Sequence, residues 1–408
     1  MPPVASNPWA CSSEQVEWSA PSPDEARQMS RRERLRSRGP YTASVPPRIA
    51  ELALVVSPEA AAEAAEAANA LTRFDASMAS ALGGEEVSPL AAVLLRTESA
   101  SSSQIEQITA GARALAMASI GESDRPNADL VAANAAAMEK AVALSDQISA
   151  ETIIDVQSAL LHDSDPAHAG AFRSEPVWIG AKGSSPHTAS FVAPRADRVP
   201  SLIDDLVAFT RRVDIEPFLQ VAVAHAQFET IHPFTDGNGR TGRALVQAML
   251  RSYGITQRIT VPVSAGLLSE VEGYYDALTA YRSGELDPTV SAFSRAAFAA
   301  IGNGEVLVRE LVAIREDWAG RVKARSDASV WRALPLVMSQ PAVTVNRLAE
   351  WLGISKPAAQ TAIDQMVAAE VLAPANNFRR NRVWVAGEVV EVLDAFAERA
   401  GRRRFAAG

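Results

Sequence analysis

The centre of the chain reads Ile231-His-Pro-Phe-Thr-Asp-Gly-Asn-Gly-Arg-Thr-Gly-Arg243. An amphipathic helix leads into this stretch, since Phe218 and Ala222 share one helical face, and Pro233 stops that helix soon afterwards. A second helix begins just past Gly239. The sequence therefore predicts two helices joined by a glycine-containing loop.

The loop has the features of an anion-binding site. Glycines such as Gly237 and Gly239, which flank Asn238, let the backbone approach a ligand closely, and the helix that follows offers unpaired N–H groups. This combination suits phosphate. Arg240 and Arg243 lie one helical turn apart, so both side chains can reach the same polyphosphate as bidentate donors.

Two further residues of the stretch carry chemistry. Asp236 is suited to hold a Mg²⁺ ion that bridges phosphate oxygens. His232 is the one residue of the segment that titrates near neutrality, so it is a candidate acceptor of a proton from an attacking hydroxyl. A glycine loop or a single histidine often has only a packing role, but packing does not explain this whole combination.

The stretch resembles the signature of the Fic domain family, His-x-Phe-x-(Asp/Glu)-Gly-Asn-Gly-Arg-x-x-Arg, with every fixed position filled. The resemblance extends over Ala224–Glu229, a predicted hairpin and Tyr274-Tyr275, and so spans most of residues 48–310. It implies a mostly helical fold. It also implies transfer of a nucleotide monophosphate, usually the AMP of ATP, to a Ser, Thr or Tyr hydroxyl of a target protein or of the chain itself.

The resemblance assigns a role to each matching position. It implies that His232 is the general base and that Asp236 binds Mg²⁺. The remaining implied roles are an anion hole from Gly237, Asn238 and Gly239, phosphate contact by Arg240, contact with the γ-phosphate by Arg243, and anchoring of the loop in the core by Phe234.

A hairpin is predicted from the two β-type runs Val177–Ile179 and Ser190–Val192. It resembles the flap of the family, which would hold a target segment by adding a strand to an exposed edge. Ile179 is the candidate clamp residue, and core packing of Trp178 and Ile179 is the alternative.

Three side chains outside the signature complete the candidate site. Tyr274 and Tyr275 are candidates to contact the adenine, with core packing open as the alternative for at least one of them. His225 lies seven residues before His232, on the same helical face, and we predict a structural role for it because no third metal ligand is evident.

An upstream motif suggests regulation. Ser102 and Glu106 are four residues apart and share a face if the segment is helical. The plain interpretation is an N-capped helix start. The family suggests an inhibitory helix, (Ser/Thr)-x-x-x-Glu-(Gly/Asn), here at about 98–108, with Gln107 departing from the last position. Glu106 would then pair with Arg243 and deny it to the γ-phosphate.

The C-terminal part, from about residue 326, predicts a winged helix-turn-helix. Its wing would run over Asn377–Val385, exposing Arg379, Arg380 and Arg382. Such modules bind DNA through the second helix or dock proteins, and the motif does not choose between these roles. Lys356 is the single basic residue between positions 355 and 369.

Composition limits the class of protein. The chain has 408 residues, 48% hydrophobic and 21% charged, and a formal net charge of −9, so any DNA contact must be local. Cys11 is the only cysteine, which excludes a disulfide framework and fits a reducing cytosol. No apolar run of about 18 residues and no signal-peptide pattern is evident, so a cytoplasmic protein without a membrane span is expected.

The fold class that follows is mostly α: a helical Fic core with a short β-hairpin flap. The predicted division is a partly ordered arm at 1–47, an N-terminal helical region at 48–110, the catalytic domain at 111–315 and the winged helix-turn-helix at 326–408. A homodimer is plausible for such a chain. The activity alternatives are removal of AMP, with Glu106 orienting a water, a nucleotide-sensing transcriptional regulator, and use of UTP or GTP in place of ATP.

Overall fold

Helices dominate the computed structural model, which describes residues 7–18, 31, 37–81, 87–180, 185–375 and 382–401. Within these residues there are fifteen α-helices and seven short strands. The prediction of a mostly helical fold with a small hairpin is therefore confirmed.

The N-terminal third combines a β-ribbon with four helices. Strands β1 and β2 pair antiparallel, with Ser12 opposite Val45 and Val16 opposite Tyr41. Pro58 begins the first helix, and Gly121 lies between the third and the fourth. Gly83 and Gly84 lie outside the described residues. The elements are β1 (Ser12–Val16), β2 (Tyr41–Val45), α1 (Pro58–Ala81), α2 (Val87–Ile105), α3 (Ala112–Ala118) and α4 (Pro126–Ala143).

The central helices flank the Ile231–Arg243 stretch, and capping side chains mark where two of them begin. Ser149 caps α5 in a capping box with Thr152, and the Glu216 carboxylate accepts from the N–H of Leu219 at 2.7 Å at the start of α7. The elements are α5 (Ala150–Leu161), β3 (Trp178–Ile179), β4 (Phe191–Val192), α6 (Val199–Thr210), α7 (Pro217–Ile231), α8 (Asn238–Ser252), α9 (Val263–Ser269), α10 (Val271–Arg282) and α11 (Asp287–Arg321).

The C-terminal segment has helices with a three-stranded sheet in the order β5-β7-β6. Thr344 caps α13, Gly353 ends it at φ +63°, and Ser355 caps α14. The elements are α12 (Ser329–Ser339), β5 (Ala342–Val343), α13 (Val345–Leu352), α14 (Lys356–Ala368), β6 (Ala373–Pro374), β7 (Trp384–Val385) and α15 (Gly387–Arg399). The assignment of this segment as a winged helix-turn-helix stays a prediction.

The second helix of the helix-turn-helix pair, α14, has little positive charge. Lys356 and Asp364 are both exposed on it, and Gln360 donates to Asp364 at 2.7 Å. Of the predicted wing arginines, Arg379 and Arg380 lie outside the described residues, whereas Arg382 is exposed and stacks over Trp384 at 5.1 Å. DNA binding by this module stays a prediction.

The chain divides into two compact units, each built from separate stretches of sequence. The first comprises Met1–Ala65, Lys140–Ser252 and Glu272–Phe293, and the second comprises Glu66–Glu139, Tyr253–Val271 and Ser294–Gly408. The first unit contains the Ile231–Arg243 stretch, and the second contains Ser102, Glu106 and the C-terminal module. The predicted domain boundaries, which assumed continuous segments, stay predictions. None of the helices described is long and apolar enough to cross a membrane.

The candidate inhibitory motif lies at the end of a helix. Helix α2 runs to Ile105, so Ser102 is in its last turn and the predicted bounds of about 98–108 overran its end. The alternative of an N-capped helix start is therefore wrong. Gln107 adopts φ +62°, its N–H donates to the carbonyl of Gln104 at 2.9 Å, and the N–H of Ile108 donates to that of Ser103 at 3.0 Å.

These contacts form a Schellman motif, which places a left-handed residue just past a helix. Glycine or asparagine favours that conformation because other side chains crowd the backbone there. The family has Gly or Asn at the position of Gln107. Gln107 in place of Gly or Asn therefore makes this helix ending energetically less favourable, but the geometry of the ending is retained.

We predict that Gln107→Gly stabilises the second unit by about 0.5–1 kcal/mol, because glycine removes the strain at φ +62°. The matched control is Gln104→Gly within helix α2, which should destabilise by about 1 kcal/mol. Differential scanning calorimetry would show thermal midpoints moving in opposite directions. Equal shifts in the two variants would contradict this account of the helix ending.

Candidate active site

His232 occupies an unusual backbone position. It follows the last residue of α7 with φ +50° and ψ 62°, and its N–H donates to the carbonyl of Phe228 at 2.9 Å. Its imidazole Nδ1 lies 3.9 Å from the Glu229 carboxylate, which is buried. The left-handed turn thus ends the helix and sets the imidazole beside the loop.

The glycine loop is fixed by contacts of its own. Gly237 adopts φ +82°, and a β-carbon there would lie 2.8 Å from the Leu160 side chain, so a larger residue is strained and must displace that side chain. The Asn238 side chain donates to the Phe234 carbonyl and accepts from the Phe234 N–H, both at 2.8 Å. Phe234 itself is fully buried, as predicted for an anchor. The side chain of Asn238 therefore shapes the loop, while α8 begins at its backbone.

Two guanidinium groups are buried at the start of α8. Arg240 is 4% and Arg243 is 2% exposed. A buried cation is costly unless anionic groups face it, so this position is suited to a negatively charged ligand or carboxylate. One Arg240 nitrogen lies 3.3 Å from the Asp236 carboxylate, whose side chain is 60% exposed.

The donor set fits magnesium better than a metal held wholly by protein. The described residues contain no group of three or more His, Cys, Asp or Glu side chains that could hold a metal. Mg²⁺ in nucleotide sites is typically held by one or two carboxylates together with phosphates and water. The exposed carboxylate of Asp236, at the edge of the loop, is compatible with that pattern.

Helices α7 and α8 approach closely at Gly242. A β-carbon on this glycine would lie 2.9 Å from both the Glu229 carboxylate and the Phe228 ring. The glycine therefore lets the two helices pack in contact. That packing brings the end of α7, with His232, beside the first turn of α8.

The structure separates the two candidate tyrosines. Tyr274 is 3% exposed, and its hydroxyl is 2.8 Å from Nε2 of His225, so it takes the core position that the sequence had left as an alternative. Tyr275 is 42% exposed and stays a candidate for the base. His225 is buried, and its pKa falls to about 3 through burial and then the charge of Arg243. A neutral, enclosed imidazole fits the structural role predicted for it.

The predicted hairpin forms between β3 and β4, with Trp178 opposite Val192 and Ile179 opposite Phe191. Ile179 is 40% exposed, which suits a clamp, whereas Trp178 packs against the cluster of Tyr41, Ala43 and Val192. The turn residues 181–184 lie outside the described residues. The sequence does not indicate that the N-terminal ribbon supports this hairpin.

A further arginine was missed. Arg173 is 4% exposed, and its side chain donates to main-chain carbonyls, including that of His232 at 2.8 Å. The sequence offered only one signal, an arginine in the apolar segment Gly170-Ala-Phe-Arg173. Ser102 is fully buried and Glu106 is exposed in the second unit, and their relation to Arg243 stays a prediction.

Fold and site together define a helical protein with a glycine loop between two core helices and a histidine at its edge. Residues 147–250 match the model of the Fic/DOC family. The chain therefore carries a Fic/DOC domain.

Known proteins support this assignment. The protein adenylyltransferase fic-1 of Caenorhabditis elegans is 30% identical over 145 residues, which is 36% of this chain and 26% of that protein. The protein adenylyltransferase Fic of Nematostella vectensis is 27% identical over 151 residues, 37% of this chain and 33% of that protein. The chain thus spans about a quarter to a third of the length of these curated relatives.

A solved structure is similar over most of the chain. The crystal structure of a Fic family protein from Desulfovibrio desulfuricans aligns with a TM-score of 0.51 and 20% identity, covering 82% of this chain and 97% of that chain. At this identity the likeness concerns the fold alone, and it agrees with the mostly helical architecture.

We predict that Gly242→Ala destabilises the first unit by about 1–3 kcal/mol, because the new methyl group overpacks the α7–α8 contact. Gly273→Ala is the matched control, since Gly273 lies in helix α10 with no atom within 4 Å of the new position. In that control the free energy of unfolding should stay the same or rise by up to about 1 kcal/mol. Thermal midpoints would measure both, and a Gly242→Ala protein as stable as the control would contradict close packing here.

We predict a pH dependence of stability from His225. Its folded pKa of about 3 lies below the ordinary value of 6.5, so as pH falls through that window the unfolded chain binds a proton that the folded chain does not. Stability is therefore lost from about pH 6.5 downward, by up to about 1.4 kcal/mol per pH unit. His225→Gln should flatten this part of the curve of thermal midpoint against pH, whereas His162→Gln, at an exposed side chain, should follow the unsubstituted protein.

Proposed function

We propose that this protein transfers AMP from ATP to a hydroxyl of a target protein or of itself. One observation carries the proposal: a histidine at the end of α7 lies beside the glycine loop and two buried arginines that begin α8. This pairs a proton acceptor with a phosphate-binding helix start. The names of the relatives, which are protein adenylyltransferases, support the same activity.

Phosphate binding falls to the first turn of α8. The backbone N–H groups at the start of a helix and the macrodipole attract an anion. We assign Gly237, Asn238 and Gly239 to the α- and β-phosphates, Arg240 to the phosphates and Arg243 to the γ-phosphate. The burial of both arginines makes their interaction with a phosphate stronger than it would be in water.

His232 takes the proton of the target hydroxyl. The hydroxyl oxygen then forms a bond to the α-phosphorus of ATP while the bond from that phosphorus to the β-phosphate oxygen breaks, and pyrophosphate leaves. Glu229, 3.9 Å from the imidazole, favours the protonated form that results. A Mg²⁺ held by Asp236 would neutralise phosphate charge in this reaction.

The target and the base of the nucleotide are bound outside the loop. The hairpin presents Ile179, which is 40% exposed, at the edge strand β3, where an extended target segment can add a strand. Tyr275, also partly exposed, is our candidate for stacking on the adenine. Tyr274 has no part in this proposal because it lies in the core.

Glu106 restrains the activity. Its carboxylate lies at the end of helix α2, just before the left-handed turn at Gln107. We propose that it pairs with Arg243 and so competes with the γ-phosphate. A charge-assisted contact of this kind contributes about 1.5–3 kcal/mol, which corresponds to roughly tenfold to a hundredfold inhibition.

We predict that Glu106→Gly raises self-modification tenfold or more, since it frees Arg243 for ATP. Purified protein would be incubated with ATP and Mg²⁺, and mass spectrometry would count covalently bound AMP. Glu122→Gly, at another exposed glutamate of the second unit, is the matched control and should leave labelling unchanged.

The same experiment separates the alternatives. Adding His232→Ala to the Glu106→Gly protein should abolish labelling. Labelling that survives this change would overturn the role of the imidazole. Parallel incubations with UTP and GTP identify the nucleotide, and loss of AMP from a modified target would indicate hydrolysis in place of transfer.

A further inference from the structure

Arg173 joins three segments of the first unit through one side chain. Its Nε donates to the carbonyl of His232 at 2.8 Å, and Nη2 donates to that of Pro194 at 2.6 Å. Nη1 donates to the carbonyl of Glu175 at 3.0 Å, and a longer contact of 3.4 Å reaches Ile231. The backbone N–H of Arg173 also donates to Pro233 at 3.0 Å. All these acceptors are main-chain oxygens, so this side chain holds backbone positions.

The charge of Arg173 suits this task. The side chain is almost completely buried, and burial lowers its pKa to about 10, so the group remains a cation at neutral pH. Its planar fork offers five N–H donors in fixed directions, whereas a lysine offers a single ammonium on a flexible stem. Only the fork can reach carbonyls in three separate segments at once.

One of the segments held is the backbone of the proposed general base. His232 has φ +50°, a conformation that L-residues other than glycine adopt rarely because the β-carbon meets the following carbonyl. Surrounding contacts must keep such a residue in place. The bond from Arg173 to the His232 carbonyl is a contact of this kind, and it acts at the carbonyl whose direction the left-handed turn sets.

The other segments are the two ends of the hairpin. Glu175 precedes strand β3 and Pro194 follows strand β4, so the guanidinium ties both ends to the carbonyl of the histidine. The glycine loop has a separate brace, the pair of 2.8 Å bonds between Asn238 and Phe234. Two separate sets of contacts are therefore present. The Arg173 contacts hold His232 together with the hairpin, and the Asn238–Phe234 pair holds the glycine loop.

We propose that Arg173 is a positioning residue, which holds the His232 imidazole and the target-binding hairpin in one fixed geometry. The inference rests on the proposed function. Its consequence is a division of effects: loss of the Arg173 fork slows transfer because the base and the target hydroxyl are misaligned, while ATP binding, which depends on the other brace, is retained.

Kinetics of the full chain in the Glu106→Gly background test this division, with labelled ATP, Mg²⁺ and self-modification as the reaction. We expect Arg173→Lys to lower kcat at least tenfold while KM for ATP changes less than threefold. Asn238→Ala should instead raise KM for ATP. Arg195→Ala is the matched control, because Arg195 is a nearby, half-exposed arginine that pairs with Asp197, and it should leave both constants unchanged.

Further measurements separate misalignment from loss of folding. Arg173→Ala should recover rate on addition of guanidinium ion and should not recover with ammonium, since only the planar ion can replace the fork. An unchanged kcat in Arg173→Lys would overturn the proposal. A KM for ATP that rises in parallel with the loss of kcat would also overturn it.

One readout is independent of activity. A crystal structure of Arg173→Lys should show His232 outside the left-handed region or the hairpin ends moved away from it, and an unchanged backbone at these positions would sink the inference. If the Glu106→Gly parent shows no labelling that depends on His232, the proposed function fails, while this crystal structure still decides whether Arg173 sets the backbone.

Discussion

The contact of α7 with α8 at Gly242 is the constraint on which the candidate site depends. A single hydrogen in place of a side chain lets the Phe228 ring and the Glu229 carboxylate approach the backbone of α8. The end of one helix and the start of the next are then neighbours, although their chemistry differs. A helix end carrying an imidazole and a helix start attracting anions are brought together by packing, which is short-ranged and intolerant of one extra methyl group.

The core around the site contains buried polar groups. Nε2 of His225 lies 2.8 Å from the Tyr274 hydroxyl, Gln227 accepts from Tyr281 at 2.9 Å, and Arg173 donates to main-chain oxygens. Such groups are stable when buried only because partners with the right geometry are present. Contacts on several sides also keep the left-handed backbone of His232 and the positive φ of Gly237 in place.

In the second unit, the helix that carries Ser102 and Glu106 is anchored in its own way. Glu98 is buried and accepts from both the N–H and the hydroxyl of Ser264, at 2.8 and 2.6 Å. Arg96 donates to the carbonyl of Ser339 at the end of α12, the first helix of the C-terminal module. The helix proposed to restrain the activity and the C-terminal module therefore belong to one packed body.

The sequence by itself determined the loop, the helices on either side of it and the residue types suited to bind phosphate, because these follow from local rules of helix ending, glycine conformation and charge. It also indicated the hairpin and the C-terminal helices. Tertiary structure alone decided that Tyr274 lies in the core while Tyr275 is exposed, that the serines before Glu106 end a helix, and that the N-terminal ribbon supports the hairpin. It also revealed Arg173, whose role depends on carbonyls up to 59 positions away. Local patterns fix which conformations a segment prefers, whereas burial and partners come from segments that are distant in sequence and meet only in the folded chain.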